Sequence, residues 1–264
     1  MVPAGLRTNR PPIPDQLVRR AIYRLHSMFI NSTNASHAPI RAVIIDLDGT
    51  MLDTLPDFHV AINAMRGQFG YAPITREQIA LMIGKGSENL IRGVLALELD
   101  GAGVEQRFNE AMTFYQQHYL AINGDHSALY DGVIDGLEAM KAQGLRLACV
   151  TNKPIAFATP LLAQKGLAPY FEIVYGGDSL PRKKPDPMPM LQVCADFGLA
   201  PAQVVAIGDS SNDAEAARAA GCFVLTVPYG YNHGRAIHET DSDGIVSSLL
   251  EAANLIRSHN NDAN

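Results

Sequence analysis

Five short apolar runs constrain this chain more than any other feature: AVII at 42–45, LRLACV at 145–150, EIVY at 172–175, VVAI at 204–207 and CFVLTV at 222–227. From the second run onward, stretches with helical periodicity separate them. Short apolar runs without polar alternation suit strands covered on both faces, and alternating strands and helices fold as a parallel sheet with helices on either side. The expected fold class is therefore α/β, a doubly wound, Rossmann-like parallel sheet. Between the first and second runs lie about 100 residues without a convincing strand, far more than a βαβ crossover needs. They hold the helical stretches FHVAINAMRGQFG, REQIALMIG, SENLIRGVLALEL and VEQRFNEAMTFYQQHYLAI. We therefore expect residues 57–127 to form an inserted helical cap on a core of residues 41–56 and 128–264.

Residues 1–40 differ from the rest. Five arginines (Arg7, Arg10, Arg19, Arg20, Arg24) stand against one acid, Asp15, so the net charge of -6 divides into +4 here and -10 beyond. The stretch DQLVRRAIYRLHSMFI has the pattern of a basic amphipathic helix and the composition of an organelle transit peptide; an upstream start codon, with Met28 as the true beginning, is the simpler and preferred reading. The net charge of -6 and pI near 5.7 of the whole chain argue against a nucleic-acid or anionic-membrane surface and for a small-molecule partner. Cys149, Cys194 and Cys222 lie far apart with no CxxC spacing, which favours neither a zinc site nor a disulfide framework and suits a reducing cytoplasm. No apolar run approaches the roughly 18 residues of a spanning helix. A monomer or homodimer is expected.

In an open parallel sheet, ligands bind beyond the carboxyl ends of the strands. The first strand is followed by Asp46 and Asp48, the second by Thr151 and Asn152, and VVAI by Gly208, Asp209 and then Asp213, while Lys184 precedes the DPMPMLQVCADFG helix. Carboxylates gathered at one rim repel unless a cation or proton lies among them. Such a set can hold a hard divalent cation, with Thr151, backbone N–H groups and Lys184 around phosphoryl oxygens. Simpler readings exist: Asp48-Gly49 as a turn, Asp209 and Asp213 as helix caps, Thr151 as a strand end. Asp46 resists such a reading, because a carboxylate buried after AVII is costly without a partner. Asp53 and Asp57 read as caps or hinge residues, Lys183 as a solvated neighbour of Lys184, and His233 as exposed-loop material.

DLDGT, VTN, KKPDP and GDSSND, in that order, resemble the four motifs of the haloacid dehalogenase superfamily of phosphohydrolases, and LYDGV at 129–133 is similar to the core-helix start of its helical-cap subclass. The resemblance implies Asp46 as a nucleophile that forms an aspartyl-phosphate, and Asp48 as the acid that protonates the leaving oxygen and then deprotonates water. It implies a Mg2+ ion held by Asp46, the backbone carbonyl of Asp48 and Asp209, with Asp213 positioning Lys184 or a metal-bound water. Thr151 and the Asn152 N–H would bind phosphoryl oxygens, and Lys184 would neutralise charge on the nucleophile and the transferring group.

Specificity belongs to the cap. In MIGKGSENLI, Gly84 and Gly86 leave the backbone free to approach the site, and Lys85 offers a charge suited to a carboxylate-bearing ester; the alternative is a helix start at Ser87 with Lys85 in solvent. This segment, PYGYNHG and GGDSLPRKKPDP resemble the bacterial phosphoglycolate phosphatases of that superfamily, which implies 2-phosphoglycolate as substrate. A sugar phosphatase or β-phosphoglucomutase-like enzyme shares the motifs, and a non-enzymatic receiver switch shares the acid, threonine and lysine chemistry.

Overall fold

The computed structural model describes residues 38–262. The basic stretch at 15–30 lies outside them. Six parallel strands form one sheet in the order β5-β4-β1-β6-β7-β8. They are β1 (Ala42–Ile45), β4 (Arg146–Val150), β5 (Ile173–Tyr175), β6 (Val204–Gly208), β7 (Phe223–Thr226) and β8 (Gly244–Ile245). The five apolar runs are thus strands of a single sheet, and β8, only two residues long, has too little pattern to be legible.

β1 shows why the sheet is covered on both faces. Val43 and Ile45 enter one apolar cluster with helices α5 (Val133–Ala142), α6 (Ile155–Gln164) and α9 (Leu249–Asp262). Ala42 and Ile44, pointing the other way, enter a second cluster with α7 (Met188–Phe197) and α8 (Ser211–Ala220). Side chains alternate across a strand, so a run apolar at every position must have a core on each side. Each fully buried Ile or Val contributes about 1.5–3 kcal/mol. Ile40 joins the first cluster, with its N–H donating to Asn260 Oδ1 at 2.7 Å and its carbonyl accepting from Asn260 Nδ2 at 3.0 Å. Ile40, just before the expected boundary at Arg41, is thus packed against the sheet domain.

Between β1 and β4 the chain makes helices α1 (Leu55–Gln68), α2 (Arg76–Ala80), α3 (Ser87–Leu95) and α4 (Gly101–Ile122). They gather a separate cluster that includes Phe58, Ile62, Met65, Ile79, Ile91, Tyr115 and Tyr119, joined by Phe157 and Tyr231 from the sheet side. Two of these helices, α2 and α4, start on a side-chain cap. Thr75 Oγ1 accepts from the Gln78 N–H while Gln78 Oε1 accepts from the Thr75 N–H, and Asp100 Oδ1 accepts from the Gly103 N–H. Arg66, 2 % exposed, is tolerated because it donates to Ala72 O and Val94 O and pairs with Glu98 at 2.5 Å.

Two chain crossings connect these helices to the sheet, and they are tied together. β2 (Leu52–Asp53) pairs antiparallel with β3 (Ala128–Leu129). The Asp57 carboxylate, fully buried, accepts from the Gly124 N–H at 2.9 Å, the His126 N–H at 2.8 Å and the Ser127 hydroxyl. Asp53 Oδ1 accepts from the Leu55 N–H and the Tyr231 hydroxyl. Both acids thus fix the crossing, as a cap or hinge residue would.

Candidate active site

The register of the sheet assembles the site. Ile45 lies beside Cys149 of β4 and Ile207 of β6, so the chain leaves all three strands at one level. Asp46, Asp48, Thr151, Asn152, Asp209 and Asp213 accordingly come to one rim, and Lys184 reaches it from the loop before α7; all seven line one cavity between the sheet and the helices of the insertion.

Lys184 is the hub. Its Nζ donates to Asp46 Oδ1 at 2.8 Å, Asp213 Oδ1 at 2.6 Å and Val150 O at 2.6 Å, which uses all three protons of the ammonium. Burial works against its charge, but the Asp213 and Asp46 carboxylates outweigh it and raise its pKa. The other oxygen of Asp213 accepts from the Ser210 hydroxyl and N–H. Asp213 is thus a helix-start residue and a lysine partner at once.

Asp209 is held by glycine geometry. Its Oδ2 accepts from the Tyr231 N–H at 2.6 Å, and Thr50 Oγ1 donates to its Oδ1 at 3.3 Å. A Cβ on Gly49, whose φ is +85°, would fall 2.2 Å from Oδ2, and one on Gly230 would fall 2.0 Å from it. Only a bare backbone leaves room for this carboxylate. Burial, then Asp213 and Asp46, push the Asp209 pKa well up, against the pull of the Tyr231 N–H and of Lys184. Burial likewise pushes Asp46 up to about 7, against the pull of Lys184 and with a further push from Asp213. Oxygens of Asp46, Asp209 and Asp213 lie within 4.8 Å of one another. Asp213 is committed to Lys184 and Ser210, so Asp46 and Asp209 remain as buried oxygen donors short of positive charge. That donor set fits a hard divalent cation.

Asp48 faces the same cavity but a different lysine. Lys153 Nζ donates to its two oxygens at 2.9 and 3.3 Å and to the Tyr119 hydroxyl at 2.7 Å, and lies over the rings of Phe58 and Tyr119. Phe58 and Tyr119 belong to the inserted helices, so this pair spans sheet and insertion. In the sequence, Lys153 is marked only by its place next to Thr151-Asn152 at a strand end.

Thr151 is buried, its Oγ1 accepting from the Lys153 N–H at 3.2 Å. Asn152 Nδ2 donates to Lys184 O at 2.8 Å and to Gly84 O at 2.9 Å, binding the insertion loop to the rim. Asn212 Nδ2 donates to the same Gly84 carbonyl at 3.2 Å. Gly84 and Gly86 line the cavity, whereas Lys85 between them is exposed and does not. Lys183 is half-buried, with Nζ 2.8 Å from where a Gly86 Cβ would stand. His233 departs from its expectation as exposed-loop material. It lines the cavity at φ 48°, half-buried, with Nε2 3.0 Å from Asn212 Nδ2, and burial, then the Lys85 charge, lower its pKa.

A family profile of haloacid dehalogenase-like hydrolases matches residues 40–221. The chain belongs to this family. Among its relatives, a phosphoglycolate phosphatase from Thiobacillus denitrificans is 49% identical over 218 residues, 83% of this chain and 96% of the relative. The crystal structure of a predicted phosphoglycolate phosphatase from Haemophilus somnus superposes with a TM-score of 0.75 at 34% identity, covering 82% of this chain and 97% of the other. That of a putative beta-phosphoglucomutase from Thermotoga maritima reaches 0.65 at 26% identity, covering 83% and 99%. Membership in this hydrolase family makes the chain an enzyme and removes the receiver switch. Among the described residues the three cysteines are free and buried, and no helix is long and apolar enough to cross a membrane.

Proposed function

We propose that this hydrolase cleaves 2-phosphoglycolate to glycolate and phosphate, with Asp46 as nucleophile and Asp48 as acid and base, the helices of residues 57–127 acting as a cap over the site. The observation that carries this reading is that two carboxylates only two residues apart face one cavity and are held by separate lysines. Asp46, held on Lys184, attacks phosphorus; the bond from phosphorus to the ester oxygen breaks, and Asp48 gives that oxygen a proton. Asp48 must leave one of its contacts with Lys153 to carry the proton. In the second half Asp48 takes a proton from water, the resulting hydroxide attacks phosphorus, and Asp46 and inorganic phosphate are released. Thr151 and the Asn152 N–H bind phosphoryl oxygens, and Lys184 balances charge on Asp46 and the transferred group.

Mg2+, when bound, supplies positive charge to the transferring phosphoryl group. Asp46, the Asp48 carbonyl and Asp209 would hold it, with Asp213 acting through Lys184. The substrate choice is supported by the relatives named phosphoglycolate phosphatase; the structural likeness to a putative beta-phosphoglucomutase favours a sugar phosphate as the second reading. The three buried thiols agree with a reducing, cytoplasmic setting.

The test is a screen of phosphate monoesters by kcat/KM, each in magnesium and in calcium. We expect 2-phosphoglycolate to lead, hexose phosphates to trail, and calcium to give no turnover, because its looser shell takes both oxygens of a carboxylate and holds it from phosphorus. A sugar phosphate in the lead would move the assignment to the second reading, and equal rates in the two metals would contradict the proposed metal site.

A further inference from the structure

We propose that Lys153, with the hydroxyl of Tyr115, forms the subsite that recognises the carboxylate of the substrate. The proposal rests on the reading above that the ester carries a carboxylate beside its ester oxygen. Two lysines line the cavity. Lys184 has no proton to spare, since Asp46, Asp213 and the Val150 carbonyl take all three. Lys85 is exposed and outside the lining.

Lys153 has the complementary properties. Its side chain is 2 % exposed, and its ammonium lies 4.6 Å from the Phe58 ring centroid and 4.8 Å from that of Tyr119. Ring faces hold a cation without consuming its N–H donors. The third donor goes to the Tyr119 hydroxyl at 2.7 Å, but the other two go to one carboxylate, at 2.9 and 3.3 Å, and the longer contact is at the edge of what counts as a hydrogen bond. One contact suffices to hold Asp48, which frees a donor for a second anion.

Position follows from the chemistry. Asp48 serves the ester oxygen, and in 2-phosphoglycolate that oxygen is two bonds from the carboxylate carbon. The donor already bonded to Asp48 is therefore the cationic group within reach of the carboxylate. Tyr115 gives a second, independent observation. It lies one helical turn before Tyr119, is fully buried, and lines the cavity, and its hydroxyl, beside the Ser87 side chain, makes no hydrogen bond of good geometry among the described residues. A buried hydroxyl left unpaired is costly. A ligand carboxylate beside Lys153 would satisfy it.

The test compares 2-phosphoglycolate with 2-hydroxyethyl phosphate, which replaces the carboxylate by a neutral alcohol. Lys153→Met should reduce the wild-type preference for 2-phosphoglycolate by about 10- to 150-fold, the scale of a hydrogen bond to a charged group; any loss common to both esters reports the effect on Asp48. Tyr115→Phe should reduce the same preference by less. A wild-type enzyme without the preference would refute the substrate reading; a preference that survives Lys153→Met would refute the subsite alone. Should Lys153→Met fail to fold, Asp48→Asn and Asp48→Asn/Lys153→Met can be compared by calorimetry, because the double variant removes both charges together. The single variant should bind 2-phosphoglycolate more tightly than the alcohol, and the double variant should bind both alike. Retained discrimination in the double variant would overturn the proposal.

Discussion

Lys184 holds Asp46 at 2.8 Å and Lys153 holds Asp48 at 2.9 Å, yet the two pairs are built from different parts of the molecule. Every partner of Lys184 comes from the sheet side: Asp46 after β1, Val150 at the end of β4, Asp213 in the first turn of α8. Lys153 instead shares its surroundings with Tyr119 and Phe58 from the inserted helices. The difference separates two tasks. In the proposed mechanism, the group that attacks phosphorus is fixed by the sheet side of the molecule, while the group that manages protons is coupled to the inserted helices. A family that keeps its sheet and changes its insertion can thus keep phosphoryl transfer and change the leaving group.

Substituting the two acids should break this comparison most visibly. Asp46→Asn should abolish phosphoenzyme formation with the protein still folded. Asp48→Asn keeps the nucleophile and should lower turnover by a factor on the order of 100 to 10,000, the usual worth of general acid–base catalysis. An aryl phosphate needs little protonation of its leaving group. With that substrate the Asp48→Asn protein should become phosphorylated on Asp46 and stall, since no base activates water. Rapid quench and mass mapping would detect the adduct; phosphate on another residue would remove Asp46 from its role.

Next in size is a difference in stability. Lys184→Met strands two carboxylates, one of them, Asp213, only 3 % exposed, and should cost about 3–5 kcal/mol in denaturant unfolding, the range for removing one partner of a buried ion pair. Lys153→Met strands only Asp48, 10 % exposed at the cavity, and should cost less. Equal losses would show that both pairs belong to one cooperative unit and that the division between sheet and insertion is not energetic.

The same division explains what could be read without coordinates. Asp46, Thr151, Asp209 and Asp213 follow strands, and a strand buried on both faces announces its own end. Lys184 was legible from its motif. Lys153, Tyr115 and Tyr119 were not, because a contact between an insertion helix and a rim loop leaves no periodicity in either segment. The tyrosines look like ordinary apolar positions four apart on α4, and Lys153 looks like one more polar residue after a strand. The burial of His233 is illegible for the same reason: it packs against Gly84, whose Cβ, if present, would lie 3.0 Å from the His233 ring, about 150 residues away in sequence and beyond any local pattern. β8 and the β2–β3 pair, at two residues each, were too short to show alternation.

The smallest expected effect belongs to Lys85, and it sharpens the contrast between a lysine of the insertion and one of the rim. Its loop is fixed by backbone contacts: Gly84 O accepts from Asn152 and Asn212, and Lys85 O accepts from Asn89 Nδ2 at 2.8 Å. None of these needs the Lys85 side chain, which is exposed. A solvated ammonium is screened by water and salt, so Lys85→Ala should change kcat/KM for 2-phosphoglycolate by less than about 5-fold, the scale of an exposed ion pair, and any change should shrink as ionic strength rises. 2-Hydroxyethyl phosphate should respond equally little. A larger loss confined to the carboxylate-bearing ester would make Lys85 the reader of that group and leave Lys153 only the task of holding Asp48. A loss shared by both esters would place Lys85 in the positioning of its loop, and the insertion would then act on the site through Gly84 and Gly86 as well as through Tyr119.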